Sequence, residues 1–234
     1  MLDVKDISGG YGQKRILNHV SFHIGASEIV GLVGPNGSGK STVLKAIYGL
    51  LRIDEGQILF EGIKIQNRKP SVNATQGVGY VPQGNKIFDR LSVHENLELG
   101  GYILRDKGEL SRRIGEIYEL FPVLAQNKNR LAGKFSGGER QILGLSRGLI
   151  QKPRLILLDE PSIGLSPKLV SLTMQTILQI RDRFAITMLV VEQNVREVLK
   201  ITGRIYVLRL GQITLEETAV NPRTEEKIRQ VFLT

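Results

Sequence analysis

Residues 34–42 of this 234-residue chain read GPNGSGKST and match the full pattern G-x-x-x-x-G-K-[ST]. They follow an apolar run, EIVGLV, and open a helical run that begins KSTVLKAIYGLL. In such a loop the glycines let backbone N–H groups surround phosphate oxygens, Lys40 reaches the β- and γ-phosphates, and the Ser41 hydroxyl ligates Mg²⁺. The candidate phosphate-binding residues are Gly34, Pro35, Asn36, Gly37, Ser38, Gly39, Lys40, Ser41 and Thr42. A chance glycine-rich turn is the alternative, but the flanking strand and helix predict a nucleoside triphosphate site.

A second chemical motif is RLILLDEP at residues 154–161. An apolar strand that ends in two carboxylates places them at the carboxyl end of the strand, where open α/β sheets bind ligands. Asp159 is a candidate Mg²⁺ ligand, and Glu160 is a candidate catalytic residue that would orient or deprotonate a water attacking the γ-phosphate. An acidic loop exposed to solvent is the alternative. The phosphate loop in the same chain favours the chemical interpretation.

A third segment, FSGGERQ at residues 135–141, precedes the apolar run ILGLSRGLI. Adjacent glycines are poor helix formers, so we expect them at the start of this helix, with Ser136 as its N-cap. The backbone N–H groups and the positive dipole end would form an anion site at Ser136, Gly137, Gly138 and Glu139. A cap with a purely structural role is the alternative.

The elements that must position these residues follow from the hydrophobic pattern. Five short apolar runs are typical of strands that are covered on both faces of a parallel sheet. They are residues 28–33, 78–82, 154–159, 185–192 and 204–209. Helical stretches near 40–51, 138–150, 167–183 and 194–201 alternate with these runs and predict a layered α/β fold. Antiparallel strands are predicted in the first 30 residues and in residues 56–65. Residues 84–150 are predicted to be mainly helical.

The amino-acid composition limits which classes of protein this chain can belong to. Hydrophobic residues make up 41% and charged residues 24% of the chain, as in an ordinary globular protein. No apolar run approaches the ~20 residues that cross a bilayer, and the N-terminal residues lack the apolar core of a secretory signal. The absence of cysteine excludes disulfides and thiolate metal sites and is compatible with the cytosol. The net charge of +9 is spread along the chain, which favours a solvated basic surface over a nucleic-acid footprint.

With these motifs the chain resembles, from end to end, the ATP-binding subunits of ATP-binding cassette (ABC) transporters. The phosphate loop, FSGGE and RLILLDEP occur in the family's order and spacing. Gln83 in VGYVPQG matches the family's Q-loop, which implies contact with Mg²⁺. Tyr11 falls where the family stacks an aromatic ring on adenine, although an ordinary turn tyrosine is the alternative.

The resemblance implies a fold and a division of the chain. The fold is a P-loop NTPase core of the ABC ATPase type with an antiparallel β subdomain and an inserted helical subdomain. Within one ABC domain over residues 1–234, the ATP-binding core with its β subdomain covers 1–83 and 151–213. The helical subdomain covers 84–150, and a C-terminal extension covers 214–234.

The resemblance also explains the second anion site. In this family two cassettes pair head to tail, and each SGG-type helix start contacts the γ-phosphate held by the other subunit. Ser136, Gly137, Gly138 and Glu139 are therefore expected to serve the ATP of a partner subunit in a homodimer or heterodimer. Phe135 and Glu139 depart mildly from the family pattern, which usually begins with Leu and ends with Gln.

Four segments resemble the ATPases of branched-chain amino acid importers of the LivF type. They are ENLELGG (95–101), YELFP (118–122), EPSIGLSP (160–167) and VVEQNV (190–195). The resemblance implies a subunit that hydrolyses ATP with Mg²⁺ at the inner, cytoplasmic face of the cell membrane. Its expected partners are a second ATPase subunit, membrane permeases and, indirectly, a substrate-binding protein. ATPases of urea or amide importers and of lipopolysaccharide exporters share this framework, and such a subunit does not contact the cargo.

Two positions depart from the cassette pattern. Pro167 stands where many cassettes carry an aspartate, which puts contacts across the dimer in doubt at this point. Gln193 stands where most cassettes have a histidine that contacts the γ-phosphate. Glutamine can donate an amide hydrogen bond but does not titrate near neutral pH. We predict that Gln193 is a second catalytic residue and that the protein is an active ATPase.

Two hypotheses from other functional classes remain, and one segment is a candidate surface for a permease. A soluble ABC-type ATPase that acts on nucleic acid suits the net charge, but such proteins usually carry two cassettes or a coiled-coil insertion, so no nucleic acid partner is expected. The second hypothesis is an interaction subunit that is switched by ATP binding and hydrolyses little ATP. The missing histidine favours it. In the stretch 84–97, apolar Ile87, Phe88 and Leu91 are expected to meet a permease, with local packing as the alternative.

Overall fold

The strands and helices are given by a computed structural model that describes residues 1–84, 86–218 and 222–233. The strands are β1 (Leu2–Tyr11), β2 (Lys14–Ile24), β3 (Ile29–Val33), β4 (Ile53–Phe60), β5 (Ile63–Lys64), β6 (Val78–Val81), β7 (Leu155–Asp159), β8 (Thr187–Glu192), β9 (Arg204–Arg209) and β10 (Gln212–Glu217). The helices are α1 (Lys40–Tyr48), α2 (Pro70–Thr75), α3 (Val93–Gly100), α4 (Lys107–Leu120), α5 (Pro122–Gln126), α6 (Gly137–Leu149), α7 (Pro167–Phe184), α8 (Val195–Leu199) and α9 (Pro222–Leu233).

The central sheet has six strands in the order β10-β9-β3-β8-β7-β6. Neighbouring strands are parallel from β9 to β6, and β10 is antiparallel to β9. The five predicted buried strands are confirmed, and every residue of β3, β7 and β8 is buried. Val33 pairs with Glu192, and Asp159 pairs with Val191, so the carboxyl ends of these three strands meet at one edge of the sheet.

The second sheet has four antiparallel strands in the order β2-β1-β4-β5. The prediction of antiparallel strands in the first 30 residues and in 56–65 is therefore confirmed. Side chains of β3 and β7 alternate between two hydrophobic clusters. Val30 and Leu157 pack with the antiparallel sheet and α1, while Val33 and Ile156 pack with helices α3–α8. The central sheet is thus covered on both faces, which agrees with the predicted α/β layers.

Residues 84–150 contain α3, α4, α5 and α6, as the pattern predicted. Helix α3 ends at Gly100, which packs against the backbone of α6. A Cβ at this position would lie 2.7 Å from the carbonyl oxygen of Arg147. Pro167 occupies the first turn of α7, where its missing N–H is not needed for a helix bond.

Three elements were not predicted from the sequence, namely α2, β10 and α9. Strand β10 runs across the expected boundary at 213/214, and its residues alternate between exposed and half-buried positions. Residues 219–221 and 234 of the expected C-terminal extension lie outside the described residues, as does Asn85 of the stretch 84–97. In the described part of the chain, no helix combines the length and apolar character of a membrane span.

Candidate nucleotide-binding site

The phosphate loop connects β3 to α1, as the pattern G-x-x-x-x-G-K-[ST] predicts. Gly39 caps α1 with φ 106°, in the left-handed region that side chains disfavour. Gly34 is needed for a different reason, since a Cβ there would lie 2.1 Å from the carbonyl oxygen of Leu208. The loop is therefore held close to β9, with the first turn of α1 behind it.

Lys40 is buried, with 4% of its surface exposed, although it carries a charge. Its Nζ donates to the carbonyl oxygens of Gly34 at 2.9 Å and Pro35 at 3.1 Å. The same Nζ lies 3.6 Å from Glu160 Oε1. Burial lowers the pKa of Lys40, and the neighbouring Glu160 carboxylate acts in the opposite direction. An ammonium that the loop itself positions in this way suits the binding of phosphate oxygens.

Asp159 connects the end of β7 to the phosphate loop. The Ser41 hydroxyl donates to Asp159 Oδ1 at 2.7 Å, and the Tyr80 hydroxyl donates to Oδ2 at 3.0 Å. Burial raises the pKa of Tyr80, with the Asp159 charge as a further cause, so the tyrosine remains a donor. The sequence motifs do not indicate Tyr80, because it lies inside an apolar strand, β6, where nothing in the neighbouring residues suggests a polar role.

Glu160 is the residue on which the site converges. Gln83 Nε2 donates to its Oε2 at 3.1 Å, and Gln193 Nε2 donates to its Oε1 at 2.9 Å. Glu160 has φ 46°, a left-handed conformation that is uncommon outside glycine and recurs at functional sites. Its N–H donates to the carbonyl of Val191 at 3.0 Å, which holds this turn against β8. The residues singled out in three separate motifs thus meet at one carboxylate.

A cleft of about 570 Å³ opens over these groups. Its lining residues come from β2, the phosphate loop, and the loops after β6, β7 and β8. They are Lys14, Ile16, Asn36, Gly37, Gly39, Lys40, Ser41, Thr42, Gln83, Glu160, Ile163 and Gln193. Lys14 and Ile16 had no motif to indicate them, since only the packing of β2 brings them here.

Tyr11 lies at the end of β1, and 48% of its surface is exposed. The Lys45 ammonium, on the helix that begins at the phosphate loop, lies 5.8 Å from the centre of the tyrosine ring. The ring is therefore close to α1 and still accessible to a stacking partner.

The FSGGE segment forms the start of α6 with a complete capping box. The Ser136 hydroxyl accepts from the Glu139 N–H at 3.4 Å, while Glu139 Oε2 accepts from the N–H of Ser136 at 2.8 Å. The Ser136 hydroxyl also donates to Glu139 Oε2 at 2.7 Å, and this bond, followed by the one from the Ser136 N–H, lowers the pKa of Glu139. The N–H groups of Gly137 and Gly138 have no partner within the helix, as at any helix start.

This helix start belongs to a different groove from the phosphate loop. Gly137 lines a groove of about 500 Å³ together with Phe88, Arg140 and Pro161. The described residues that line the cleft of about 570 Å³ over Lys40 and Glu160, here called the nucleotide cleft, include none from 136–139. The two glycine-rich motifs therefore line different grooves of a single chain, and Ile163 lines both grooves.

Comparison with known proteins agrees with this geometry. Residues 17–163 match the sequence profile of the ABC transporter family. The chain is 38% identical over 233 residues to BraG of Pseudomonas aeruginosa, a high-affinity branched-chain amino acid transport ATP-binding protein, covering 100% of this chain and 99% of BraG. It is 34% identical over 235 residues to LptB of Haemophilus influenzae, a lipopolysaccharide export system ATP-binding protein, covering 100% of this chain and 97% of LptB.

Solved structures show the same fold. The ABC transporter cassette MJ1267 in its ADP conformation has a TM-score of 0.87 and 29% identity, covering 100% of this chain and 94% of that one. The cassette MJ0796, dimeric and bound to ADP and Pi, has a TM-score of 0.78 and 27% identity, covering 93% and 98%. The motifs, the cleft and these likenesses agree, and the chain belongs to the ABC transporter family as an ATP-binding cassette ATPase.

Proposed function

We propose that Glu160 is the catalytic base for ATP hydrolysis and that Gln193 is a second catalytic residue. The observation that carries this proposal is the convergence of Lys40, Gln83 and Gln193 on one buried carboxylate at the edge of the cleft. The two amide donors orient the carboxylate and still leave it lone pairs to accept a proton from water. Gln193 would orient Glu160 and the attacking water without changing its own charge.

The phosphate-binding role falls to residues 34–42. The N–H groups of the loop would surround the phosphate oxygens, and the Lys40 ammonium would bind them directly. Tyr11 would stack on adenine, which its exposure and its place beside α1 support.

Mg²⁺ would be held by Ser41 and Asp159, with Gln83 as a further ligand through its side-chain oxygen. The donor set fits, because a hydroxyl and a carboxylate whose oxygens lie 2.7 Å apart are the hard ligands that Mg²⁺ takes together with substrate phosphates. Tyr80 would keep the Asp159 carboxylate in its orientation. The bound ion supplies neutralisation of charge on the β- and γ-phosphate oxygens.

The working unit is proposed to be a dimer. Ser136, Gly137, Gly138 and Glu139 would contact the ATP of a partner cassette, which their separation from the nucleotide cleft supports. The dimeric form of the related cassette MJ0796 supports a dimer as the working unit. Co-purification distinguishes a second copy of the chain from a related subunit as the partner.

A permease would dock beside the helical region. A groove of about 410 Å³ is lined there by apolar side chains that are unusually exposed, namely Phe88 at 49%, Leu99 at 41% and Tyr102 at 74%. Exposed aromatic residues around a groove are typical of an interaction surface. Because this groove adjoins the segment that follows Gln83, a permease seated in it would sense the state of the nucleotide site.

The transported cargo is proposed to be branched-chain amino acids, with the protein at the inner face of the cell membrane. The 38% identity to BraG over the full length of the chain supports this cargo, and the 34% identity to LptB supports lipopolysaccharide export as the second candidate. Purification of the protein from its native membranes tests the proposal. Recovery with two permeases and an amino-acid-binding protein is expected, whereas recovery with lipopolysaccharide-binding partners would favour export. A preparation with these partners but without ATP turnover would point to an ATP-switched subunit.

A further inference from the structure

Glu192, the last residue of β8, is a buried carboxylate to which neither the motifs nor the proposed mechanism assigns a role. Only 2% of its surface is exposed, and it pairs across the sheet with Val33, the residue before the phosphate loop. A charged side chain is almost never buried this far unless its oxygens have hydrogen-bond partners. Both oxygens of Glu192 have them.

The two partners are backbone N–H groups that belong to different loops. Glu192 Oε1 accepts from the N–H of Ser162 at 2.8 Å, and Oε2 accepts from the N–H of Gln193 at 3.3 Å. Ser162 lies just after Glu160 in the chain, and the Gln193 side chain donates to Glu160 at 2.9 Å. Two hydrogen bonds therefore join the segment 160–162 to the segment 192–193, one from Ser162 to Glu192 and one from Gln193 to Glu160.

We propose that Glu192 is a positioning residue for ATP hydrolysis, which ties the loop after β7 to the loop after β8 and so holds Gln193 against Glu160. The inference rests on the roles proposed above for those two residues, because Glu192 acts through them rather than on the nucleotide. A carboxylate suits this task, since it offers two acceptor oxygens and no donor. Burial raises the pKa of Glu192, and the hydrogen bonds from Ser162 and Gln193 act in the opposite direction.

The substitution Glu192→Gln tests the proposal with little change in volume. The amide keeps one acceptor and turns an NH₂ group towards the other backbone N–H. Either the bond from Ser162, which joins the two loops, or the bond from the Gln193 N–H, which orients Gln193, is therefore lost. A small misplacement of catalytic groups costs up to about 100-fold in rate, so kcat is expected to fall on the order of 10- to 100-fold. KM for ATP should stay within about twofold, because the phosphate loop is untouched.

Two further variants separate positioning from general destabilisation. Glu192→Asp retains both acceptor oxygens on a shorter stem and should recover part of the lost kcat. Thr187→Val is the matched control at the opposite end of β8, where the Thr187 hydroxyl accepts from the Ser27 N–H at 2.9 Å. It removes a similarly buried acceptor of a backbone N–H, yet kcat should remain at the wild-type value.

Amide hydrogen exchange provides a readout that does not depend on activity. In Glu192→Gln, exchange at Ser162 or Gln193 should accelerate about 5- to 10-fold, the effect of losing one ordinary hydrogen bond. Unchanged exchange, unchanged kcat, or the same loss of kcat in Thr187→Val would each overturn the proposal. Wild-type turnover in both Glu160→Gln and Gln193→Ala would instead refute the proposed site roles, and exchange alone would then decide whether Glu192 joins the loops.

Discussion

Replacing Glu160 with glutamine should separate ATP binding from ATP hydrolysis. The carboxylate is buried and accepts hydrogen bonds from Gln83 and Gln193, so the substituted amide fits the same space. Its oxygen can face Gln193, and rotation of the Gln83 amide by half a turn restores a donor–acceptor match on the other side. The fold and the phosphate loop are therefore expected to remain intact.

The expected loss of rate follows from the chemistry that the amide lacks. An amide does not accept a proton from water, and a positioned general base is worth about 10²–10⁴ in rate. At about 1.4 kcal/mol for each factor of ten, this raises the barrier by roughly 3–5.5 kcal/mol. ATP affinity should change far less, since the proposed phosphate contacts come from residues 34–42 rather than from Glu160.

Single-turnover hydrolysis and equilibrium binding of ATP measure the two effects separately. With ATP retained, Glu160→Gln should also accumulate as a dimer in size-exclusion chromatography, alone or with its partner subunit. Glu119→Gln is the matched control, because it makes the same chemical change at an exposed position on α4, paired with Arg183 at 3.4 Å. Wild-type hydrolysis in Glu160→Gln would refute the role of catalytic base. An equal loss of binding and hydrolysis would indicate a binding role instead.

Three other predictions follow from the same contacts. Burial lowers the pKa of Lys40, and phosphate binds the protonated ammonium. Affinity for a non-hydrolysable ATP analogue should therefore fall about tenfold per pH unit above that lowered pKa. In Glu160→Gln this fall should begin at lower pH. An affinity that does not change with pH would contradict the prediction. Gln193→Ala should reduce kcat, whereas Gln193→His should keep activity and add a pH dependence near about 6.5; undiminished turnover of the alanine variant would mean that Gln193 only packs. Phe88→Glu, which retains attraction to the Arg147 guanidinium 4.7 Å from the Phe88 ring, should lower transport on the order of tenfold or more while basal ATPase persists; equal loss of both would indicate local packing.

Much of the fold and of the candidate site was predictable from short-range patterns. The phosphate loop, the two carboxylates at the end of β7 and the capped start of α6 are local arrangements, because each depends on neighbouring residues and on the strand or helix beside them. Strands β3 and β6–β9 could be predicted because a strand covered on both faces needs apolar residues at nearly every position. Strand β10 was missed because half of its residues are exposed and polar.

The sequence by itself determined the kind of chemistry and the main layers of this protein, since glycine spacing and hydrophobic periodicity are properties of short stretches of consecutive residues. Only the tertiary structure decided which side chains meet. Gln83 and Glu160 lie 77 positions apart, and the bond between Tyr80 and Asp159 spans 79. Such pairs depend on the strand order β3-β8-β7-β6, which differs from the order in the chain. Packing across the whole sheet sets that strand order and its register, so neither can be predicted from a local sequence pattern.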